Sequence, residues 1–365
     1  MSVLVNISDV CSEIFAGGDA PKSNMSEIKT DEYKIPIFSN GEANDGLYGY
    51  TNFARVTQPS ITVSARGTIG FVAVRSEPFV PIVRLISLTP ILEKIEIKYL
   101  YYALQNYKFD GSGTSIPQLT VPMLKKYSFP LPPNQQQLSV VAQLDKICNL
   151  MSLRKQQLLK LDELVKSRFI ELFIGKGYPK RTVDEVSLGK GEYGAQSASV
   201  DYDATRPRYV RITDINDDGT LNDDVVSSIN PTDDEQYKLE YGDFMFARMG
   251  ATVGKTYAFI EGNQIFAGYL IRYRLNRELI NPRYLYWYTR LDEYWNWVKL
   301  NQSGAAQPGI NAKKYGSLQI PLPPIADQNA FAAFVEQTDK SKFKIQKSLE
   351  KLETLKKALM QKYFG

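Results

Sequence analysis

Apolar side chains recur at every seventh position in a long stretch that contains neither glycine nor proline, between Pro133 and Gly175. The repeat consists of Leu144, Met151, Leu158, Val165 and Leu172, with Ile147 and Leu161 between them. Heptad spacing places these residues on one face of a helix, as in a coiled coil. The pattern therefore predicts a helix of about 35–40 residues, about 50–60 Å long at a rise of about 1.5 Å per residue.

A second stretch of the same kind follows Pro324. Its apolar face is formed by Phe331, Val335, Ile345, Leu349, Leu352, Leu355 and Leu359. Each stretch comes directly after a pair of prolines, which disfavour helix before them and fit its first turn. One such helix alone is typical of an oligomerisation coil. Two in one chain, each following a globular segment, favour antiparallel pairing with each other as a spacer.

The two stretches belong to a longer internal repeat. Residues 129–175 and 320–365 align without a gap at an offset that takes Pro130 to Pro321. The same offset pairs Gln137 with Gln328, Leu161 with Leu352, Phe173 with Phe364 and Gly113 with Gly304. Further back, SARGTIG (64–70) resembles ARMGATVG (247–254), which pairs Arg66 with Arg248. The chain is thus predicted to be a tandem duplication of a globular domain, a PLPP segment and a long helix.

The predicted boundaries follow from this repeat. Residues 1–133 and 179–324 form the globular domains, and 134–178 and 325–365 form the helical spacers. Within the globular domains, SITVSARGTIGFVAVR and DFMFARMGATVGKTYAFI have the composition of strands joined by glycine turns, whereas KYLYYAL and RYLYWYT are helical with their aromatic residues in the core. We therefore expect two mixed α+β (α/β) domains separated by two long helices that pair as an antiparallel coiled coil. The order of the strands is not predicted.

Composition excludes several classes of chemistry. The 365 residues include no histidine and two cysteines, Cys11 and Cys148, which lie far apart. Ser–His, Cys–His and histidine–metal sites are therefore excluded, and neither a disulfide framework nor a zinc cluster is expected. The cysteine usage and the lack of a long apolar run predict a cytoplasmic protein with no membrane segment.

The net charge of +4 is small and unevenly distributed. The helical segments contain seven basic and four acidic residues, and eight and five; the globular segments contain 12 and 12, and 17 and 19. Contacts with nucleic acid would therefore depend on local clusters.

We expect no catalytic site in this chain. Its Pro-Pro pairs follow leucine and not the acidic or Asn residue of amino-methyltransferases, and no glycine-rich cofactor loop accompanies them. The string Gly250–Thr256 is one residue too short for a phosphate-binding loop and predicts a strand–turn–strand.

The sequence at 113–119 (GTSIPQL), at 129–133 (FPLPP) and in the Leu/Lys-rich helices resembles the specificity subunits of type I restriction–modification enzymes. The resemblance extends over essentially the whole chain. It implies two target recognition domains, each contacting one half of a split double-stranded DNA sequence, with the paired helices fixing their separation. It also implies docking of two methyltransferase subunits, which bind S-adenosylmethionine, and of restriction subunits. No cofactor is expected on this chain.

Candidate DNA contacts are polar and basic residues near the glycine turns and in the loops before the PLPP segments. In the first domain they are Arg55, Arg66, Ser112, Thr114, Gln118, Lys125 and Lys126. In the second they are Arg206, Arg208, Arg211, Arg248, Ser303, Gln307, Asn311, Lys313 and Lys314. We interpret Arg206–Arg211, which surround Tyr209, as an exposed basic–aromatic cluster.

Two alternatives stay open at this point. The chain also fits the specificity subunit of a type IIB-like enzyme, in which one partner both methylates and cuts. The other alternative is a scaffold whose duplicated domains bind protein ligands, which predicts no salt-sensitive DNA binding.

Overall fold

A computed structural model describes residues 2–109, 118–229, 235–304 and 308–365. It divides into two compact units. Unit 1 comprises Met1–Gln156 and Ile345–Gly365, and unit 2 comprises Gln157–Lys344. Each unit therefore contains one globular domain and one end of each long helix.

The described α-helices are two long ones and five short ones. They are α1 (Ile97–Asn106), α2 (Val121–Leu124), α3 (Asn134–Phe173), α4 (Pro282–Tyr288), α5 (Asp292–Asn301), α6 (Ala312–Gly316) and α7 (Ile325–Phe364). The long helices α3 and α7 each contain 40 residues and begin directly after a proline pair, as predicted.

The pairing of α3 with α7 is antiparallel, as the sequence predicted. In unit 2, Phe331 near the start of α7 packs against Phe169 of α3, with ring centroids 5.3 Å apart. Further along α7, Lys342 forms an ion pair with Asp162, which lies earlier in α3. In unit 1, Tyr363 near the end of α7 donates a hydrogen bond to Gln143 near the start of α3.

The predicted apolar seam is buried unevenly. Of the predicted seam positions, six are buried: Leu144, Ile147, Val165, Phe331, Val335 and Leu349. Seven are half-buried: Met151, Leu158, Leu161, Leu172, Ile345, Leu352 and Leu359. Leu355 was predicted to share the apolar face of α7 but is 47% exposed, so this prediction is wrong. The buried seam residues near the ends of the long helices belong to the apolar cores of the two units.

Unit 1 contains β1 (Val3–Asn6), β2 (Cys11–Ala16), β3 (Ile35–Phe38), β4 (Leu47–Thr51), β5 (Ser60–Val63), β6 (Val72–Arg75), β7 (Val80–Pro81), β8 (Ile86–Pro90) and β9 (Ser128–Leu131). A four-stranded antiparallel sheet has the order β2-β8-β5-β6. In a second sheet, β3 pairs antiparallel with β4 and parallel with β7. Strands β1 and β9 form an antiparallel pair.

Unit 2 contains β10 (Lys180–Thr182), β11 (Glu192–Tyr193), β12 (Ser199–Asp201), β13 (Arg208–Val210), β14 (Ser227–Ile229), β15 (Asp243–Ala247), β16 (Thr256–Ala258), β17 (Gln264–Phe266), β18 (Leu270–Arg274) and β19 (Gln319–Pro321). The order β11-β18-β15-β16 repeats the first sheet of unit 1. Strand β13 pairs antiparallel with β14 and parallel with β17, as β3 does with β4 and β7. The duplication therefore extends to the strand pairing, which the sequence did not predict.

Each unit has its own apolar core, in which the aromatic runs are packed as predicted. In unit 1, Tyr99 of α1 packs on Phe364 at the end of α7, with ring centroids 5.0 Å apart. In unit 2, Tyr284 of α4 packs on Phe173 at the end of α3, also at 5.0 Å. Each long helix thus begins beside its own globular domain and ends in the core of the other unit.

Candidate nucleic-acid interface

In unit 2, the backbone after β15 joins two other segments. The amide of Arg248 donates to the carbonyl of Tyr269, in the turn before β18, at 3.0 Å. The carbonyl of Arg248 accepts from the amide of Ile310 at 2.9 Å. Both backbone polar groups of Arg248 are therefore hydrogen-bonded. One of these bonds goes to Ile310, in the loop before α6 where candidate DNA contacts were predicted.

The side chain of Arg248 lies against two exposed tyrosines. Its guanidinium carbon is 4.7 Å from the ring centroid of Tyr193 and 6.0 Å from that of Tyr269. Its Nη2 is 3.6 Å from the sulfur of Met249, a weak acceptor, and no carboxylate pairs with it among the described residues. Cation–π contacts fix the guanidinium plane while leaving donors at its edge for a ligand. Such an edge matches the O6 and N7 acceptors of guanine, or a phosphate.

The corresponding turn in unit 1 follows β5. Ser64 donates its amide to Phe71 at 2.9 Å, as Ala247 does to Lys255 at 2.8 Å. The next carbonyl, that of Ala65, accepts from Leu119 at 2.9 Å, as that of Arg248 does from Ile310. Ala65 is therefore the counterpart of Arg248.

The sequence pairing of Arg66 with Arg248 is wrong by one position, because Arg66 corresponds to Met249. The turn in unit 2 has one residue more between its two left-handed glycines, Gly250 and Gly254, than the turn in unit 1. The displacement lies before this difference, because Ala65-Arg66-Gly67 corresponds to Arg248-Met249-Gly250, and matching the two identical Ala-Arg pairs shifted the alignment by one residue.

Arg66 and Gln118, both predicted DNA contacts of the first domain, lie in contact with each other. The Arg66 Nε and Nη2 donate to Gln118 Oε1 at 3.1 and 2.8 Å. Ser112, Thr114 and Gln307 were also selected, but they lie outside the described residues.

The remaining loop residues surround α2 and α6. Thr120 caps α2 and Asn311 caps α6, each accepting the amide three residues later. Lys125 and Lys126 follow α2 and are exposed, as is Lys313, whereas Lys314 Nζ donates to Asn301 O at 2.7 Å. Ser303 is exposed and exchanges backbone hydrogen bonds with Gly309 at 3.0 and 2.9 Å.

The interpretation of Arg206–Arg211 as an exposed basic–aromatic cluster is wrong. Tyr209 is buried, and its hydroxyl donates to Ala195 O and Ser197 O at 2.8 and 2.9 Å. Burial raises its pKa. The three arginines each pair with a carboxylate: Arg206 with Asp203, Arg208 with Asp223 and Arg211 with Asp214. Tyr209 belongs to strand β13, where Val210 is buried as well, so the aromatic ring packs in the core and is not displayed with the arginines.

The exposed side chain of Arg55 also has partners within its own unit. It pairs with Glu13 at 2.7 Å and lies 4.3 Å from the ring centroid of Phe15. Arg55 is therefore engaged by an acidic and an aromatic side chain of its own unit, and a role in DNA contact stays a prediction.

Sequence reasoning missed Tyr193 and Tyr269. Both are exposed, at 41% and 55%, beside Arg248. The Tyr193 hydroxyl also accepts the amide of Ala312 at 3.2 Å, which ties β11 to α6. No local motif marks these residues, because they converge through strand pairing.

Among the described residues, no group of three or more histidine, cysteine or acidic residues could hold a metal ion. The segment Gly250–Thr256 forms the predicted turn between β15 and β16. Cys11 is buried, which raises its pKa to about 12 and keeps its thiol protonated at neutral pH.

No helix within the described ranges is long and apolar enough to cross a membrane.

The fold defines a class: a duplicated α+β protein in which two similar domains share two long antiparallel helices. The chain belongs to the family of the type I restriction modification DNA specificity domain, whose sequence model matches residues 2–163 and 185–357. This confirms the resemblance found in the sequence.

Relatives and solved structures agree with this assignment. S.MpnORF507P of Mycoplasma pneumoniae, named as a type I specificity subunit, is 38% identical over 144 residues, covering 40% of this chain and 39% of the relative. S.MpnORF89P of the same organism is 36% identical over 141 residues, covering 39% and 42%. The match thus spans about two fifths of these relatives.

The S subunit of a type I restriction–modification system from M. genitalium has a similar fold. It matches with a TM-score of 0.63 at 15% identity, covering 100% of this chain and 96% of that one. A structure concerned with complex assembly and conformational transition of the type I R-M system matches with a TM-score of 0.59 at 16% identity, covering 99% and 97%.

Proposed function

We propose that this chain recognises a bipartite, asymmetric DNA target for a type I restriction–modification enzyme, with one globular domain contacting each half. The observation that carries this proposal is one backbone arrangement repeated with different side chains. At equivalent positions unit 1 has Ala65 and unit 2 has Arg248. Equivalent backbone positions that carry unlike side chains suit two different half-sites.

In this proposal the chain is not itself catalytic. Methylation, with S-adenosylmethionine, and cleavage belong to methyltransferase and restriction subunits that dock on it. The absence of histidine and the protonated state of Cys11 support this division. The exposed charged faces of α3 and α7 are available for docking. The boundaries 1–133, 134–178, 179–324 and 325–365 and the cytoplasmic location belong to the same proposal.

Co-expression with the methyltransferase encoded beside its gene, followed by mapping of methylated adenines, tests the proposal. We expect a single motif made of two unlike half-sites separated by a fixed number of unspecified bases. Omitting this chain should abolish the motif. If the methyltransferase produced the same motif alone, or no motif with this chain, the proposal would be wrong. Cleavage by the same methylating partner would indicate the type IIB-like alternative.

Salt dependence separates DNA recognition from the scaffold alternative. Contacts between cationic side chains and phosphates release counterions, so the affinity of the co-expressed complex for its target duplex should fall steeply between 50 and 200 mM salt. A scaffold for protein ligands predicts no salt-sensitive DNA binding.

A further inference from the structure

Strand register identifies three equivalent positions around the candidate interface of each unit. Ile86 of β8 pairs with Ala16 and Val63, and Ile271 of β18 pairs with Tyr193 and Phe246. We call the set formed by Ala16, Ala65 and Arg84 in unit 1, and by Tyr193, Arg248 and Tyr269 in unit 2, the corner frame. Each frame thus contains one arginine, but at a different corner.

Arg84 lies in a turn with unusual backbone geometry. Val83 and Arg84 have φ values of 50° and 65°, in the left-handed region. This region is disfavoured for residues other than glycine, most strongly for a β-branched one such as Val83. Strain of this kind persists where the surroundings enforce it, and it occurs often at ligand-contacting sites. Both side chains are exposed, so burial of an apolar group does not account for the turn.

The turn is nevertheless held firmly. The amides of Val83 and Arg84 donate to Gly18 O and Gly17 O at 2.7 and 3.0 Å, and that of Leu85 donates to Ile82 O at 3.0 Å. These bonds fix the direction in which the Arg84 Cα–Cβ bond leaves the backbone.

The side chain of Asn40 lies between the Val83–Arg84 turn and Ala65. In unit 2 the Arg248 amide bonds directly to the turn, at Tyr269 O. In unit 1 the equivalent amide of Ala65 donates to Asn40 Oδ1 at 2.7 Å, and Asn40 Nδ2 donates to Val83 O at 2.6 Å. The Asn40 side chain thus replaces a direct backbone bond and holds the Arg84 turn apart from Ala65.

Arg84 has no carboxylate partner among the described residues, in contrast to Arg55 and Arg75 of the same unit. An exposed guanidinium on a turn whose backbone is fixed by hydrogen bonds has its donors available for a ligand.

We propose that Arg84 contacts a base edge, with guanine as its target, in the half-site bound by unit 1, as Arg248 does in the half-site bound by unit 2. This inference rests on the proposed function. Because the arginines occupy different corners, the guanine falls at a different position within each half-site. Arginine is the side chain that pairs bidentately with guanine O6 and N7.

The decisive variant is Arg84→Gly in the full chain, co-expressed with its methyltransferase. Glycine accepts the left-handed φ, so the variant should melt no lower than the unmodified protein. We expect the methylated motif to become degenerate at one position of one half-site, and affinity for the cognate duplex to fall about 5- to 150-fold, corresponding to about 1–3 kcal/mol. Arg248→Ala should produce the same loss in the other half-site.

Two further variants distinguish a base contact from loss of charge. Arg84→Lys keeps the charge but not the planar fork, so it should relax the motif almost as much as Arg84→Gly. Arg277 is exposed and lies 5.5 Å from the ring centroid of Tyr241. Tyr241 precedes the N-terminal end of β15, whereas Arg248 follows its C-terminal end. Arg277→Ala should therefore leave the motif unchanged.

A complex with Arg84→Gly that retained the full motif would overturn the inference. So would an equal loss of affinity for every duplex, because that result would indicate a phosphate contact. If the unmodified complex produced no bipartite motif, the proposed function itself would fail, irrespective of Arg84.

Discussion

Gln137 and Gln328 make the same hydrogen bonds in the two units. Gln137 Nε2 donates to Pro132 O at 2.9 Å and its Oε1 accepts the amide of Glu96 at 2.9 Å. Gln328 Nε2 donates to Pro323 O at 2.8 Å and its Oε1 accepts the amide of Asn281 at 2.9 Å. Both side chains are buried. Each glutamine thus connects the start of a long helix to the N-cap residue of a short helix, Glu96 for α1 or Asn281 for α4.

Replacing either glutamine should destabilise its own unit. Gln328→Ala leaves the Asn281 amide and the Pro323 carbonyl without partners, at a cost of about 1–3 kcal/mol for each buried group. The loss is measured by urea unfolding, and the control is Gln136→Ala, which changes the same residue type at the exposed position beside Gln137 in α3. A Gln328→Ala protein as stable as that control would contradict the role given to these bonds.

The ends of the long helices should stabilise the unit that is distant in sequence. Phe364→Ala removes a ring from the core of unit 1, and Phe173→Ala removes one from that of unit 2. Truncation of a buried phenylalanine costs about 3–5 kcal/mol. Hydrogen exchange on each variant should show lower protection of α1 for Phe364→Ala and of α4 for Phe173→Ala. Lower protection of α4 for Phe364→Ala, or of α1 for Phe173→Ala, would contradict the conclusion that each long helix ends in the core of the other unit.

Lengthening both long helices should change the gap of the DNA target and nothing else. One heptad inserted after Gln156 in α3 and another before Ile345 in α7 add about 10 Å of helix at about 1.5 Å per residue. At about 3.4 Å per base pair, the unspecified gap should grow by about 3 base pairs.

Methylome mapping reads this outcome directly, and a heptad added to α3 alone is the control, since it breaks the pairing with α7. Changed half-sites with an unchanged gap would show that the helices are not the spacer.

The buried Arg272 should couple stability of unit 2 to pH. Arg272 lies 3.5 Å from Asp243 and also pairs with Glu192. Burial raises the pKa of Asp243, opposed by Arg272. Arg272→Met removes that opposition, so the folded-state pKa of Asp243 should rise further. A raised carboxyl pKa favours folding at low pH, and this contribution is lost as the pH rises from about 3.9, the ordinary pKa of aspartate.

Thermal melts from pH 4 to 8 test this sign. The stability deficit of Arg272→Met against the unmodified protein should widen toward pH 8, reaching about 3–5 kcal/mol. Adding Asp243→Asn should flatten the pH dependence. A deficit that is constant with pH would contradict the coupling.

The sequence by itself determined the duplication, the two long helices with their starting points after Pro133 and Pro324, and the family. Heptad spacing, proline pairs and a gapless repeat are local or periodic signals, which can be recognised in the sequence without knowledge of the fold. The equivalence of Gln137 and Gln328 was also visible as a position in the repeat, although the hydrogen bonds that explain it were not.

Tertiary structure alone decided which residues meet at the candidate interface. Arg248 corresponds to Ala65, and Arg84 corresponds to Tyr269, because strand register places them at equivalent positions of the two units. The burial of Tyr209 likewise follows from the position of β13 between β14 and β17. Contacts between segments far apart in sequence depend on the pairing of whole strands, and no local pattern of side chains specifies that pairing.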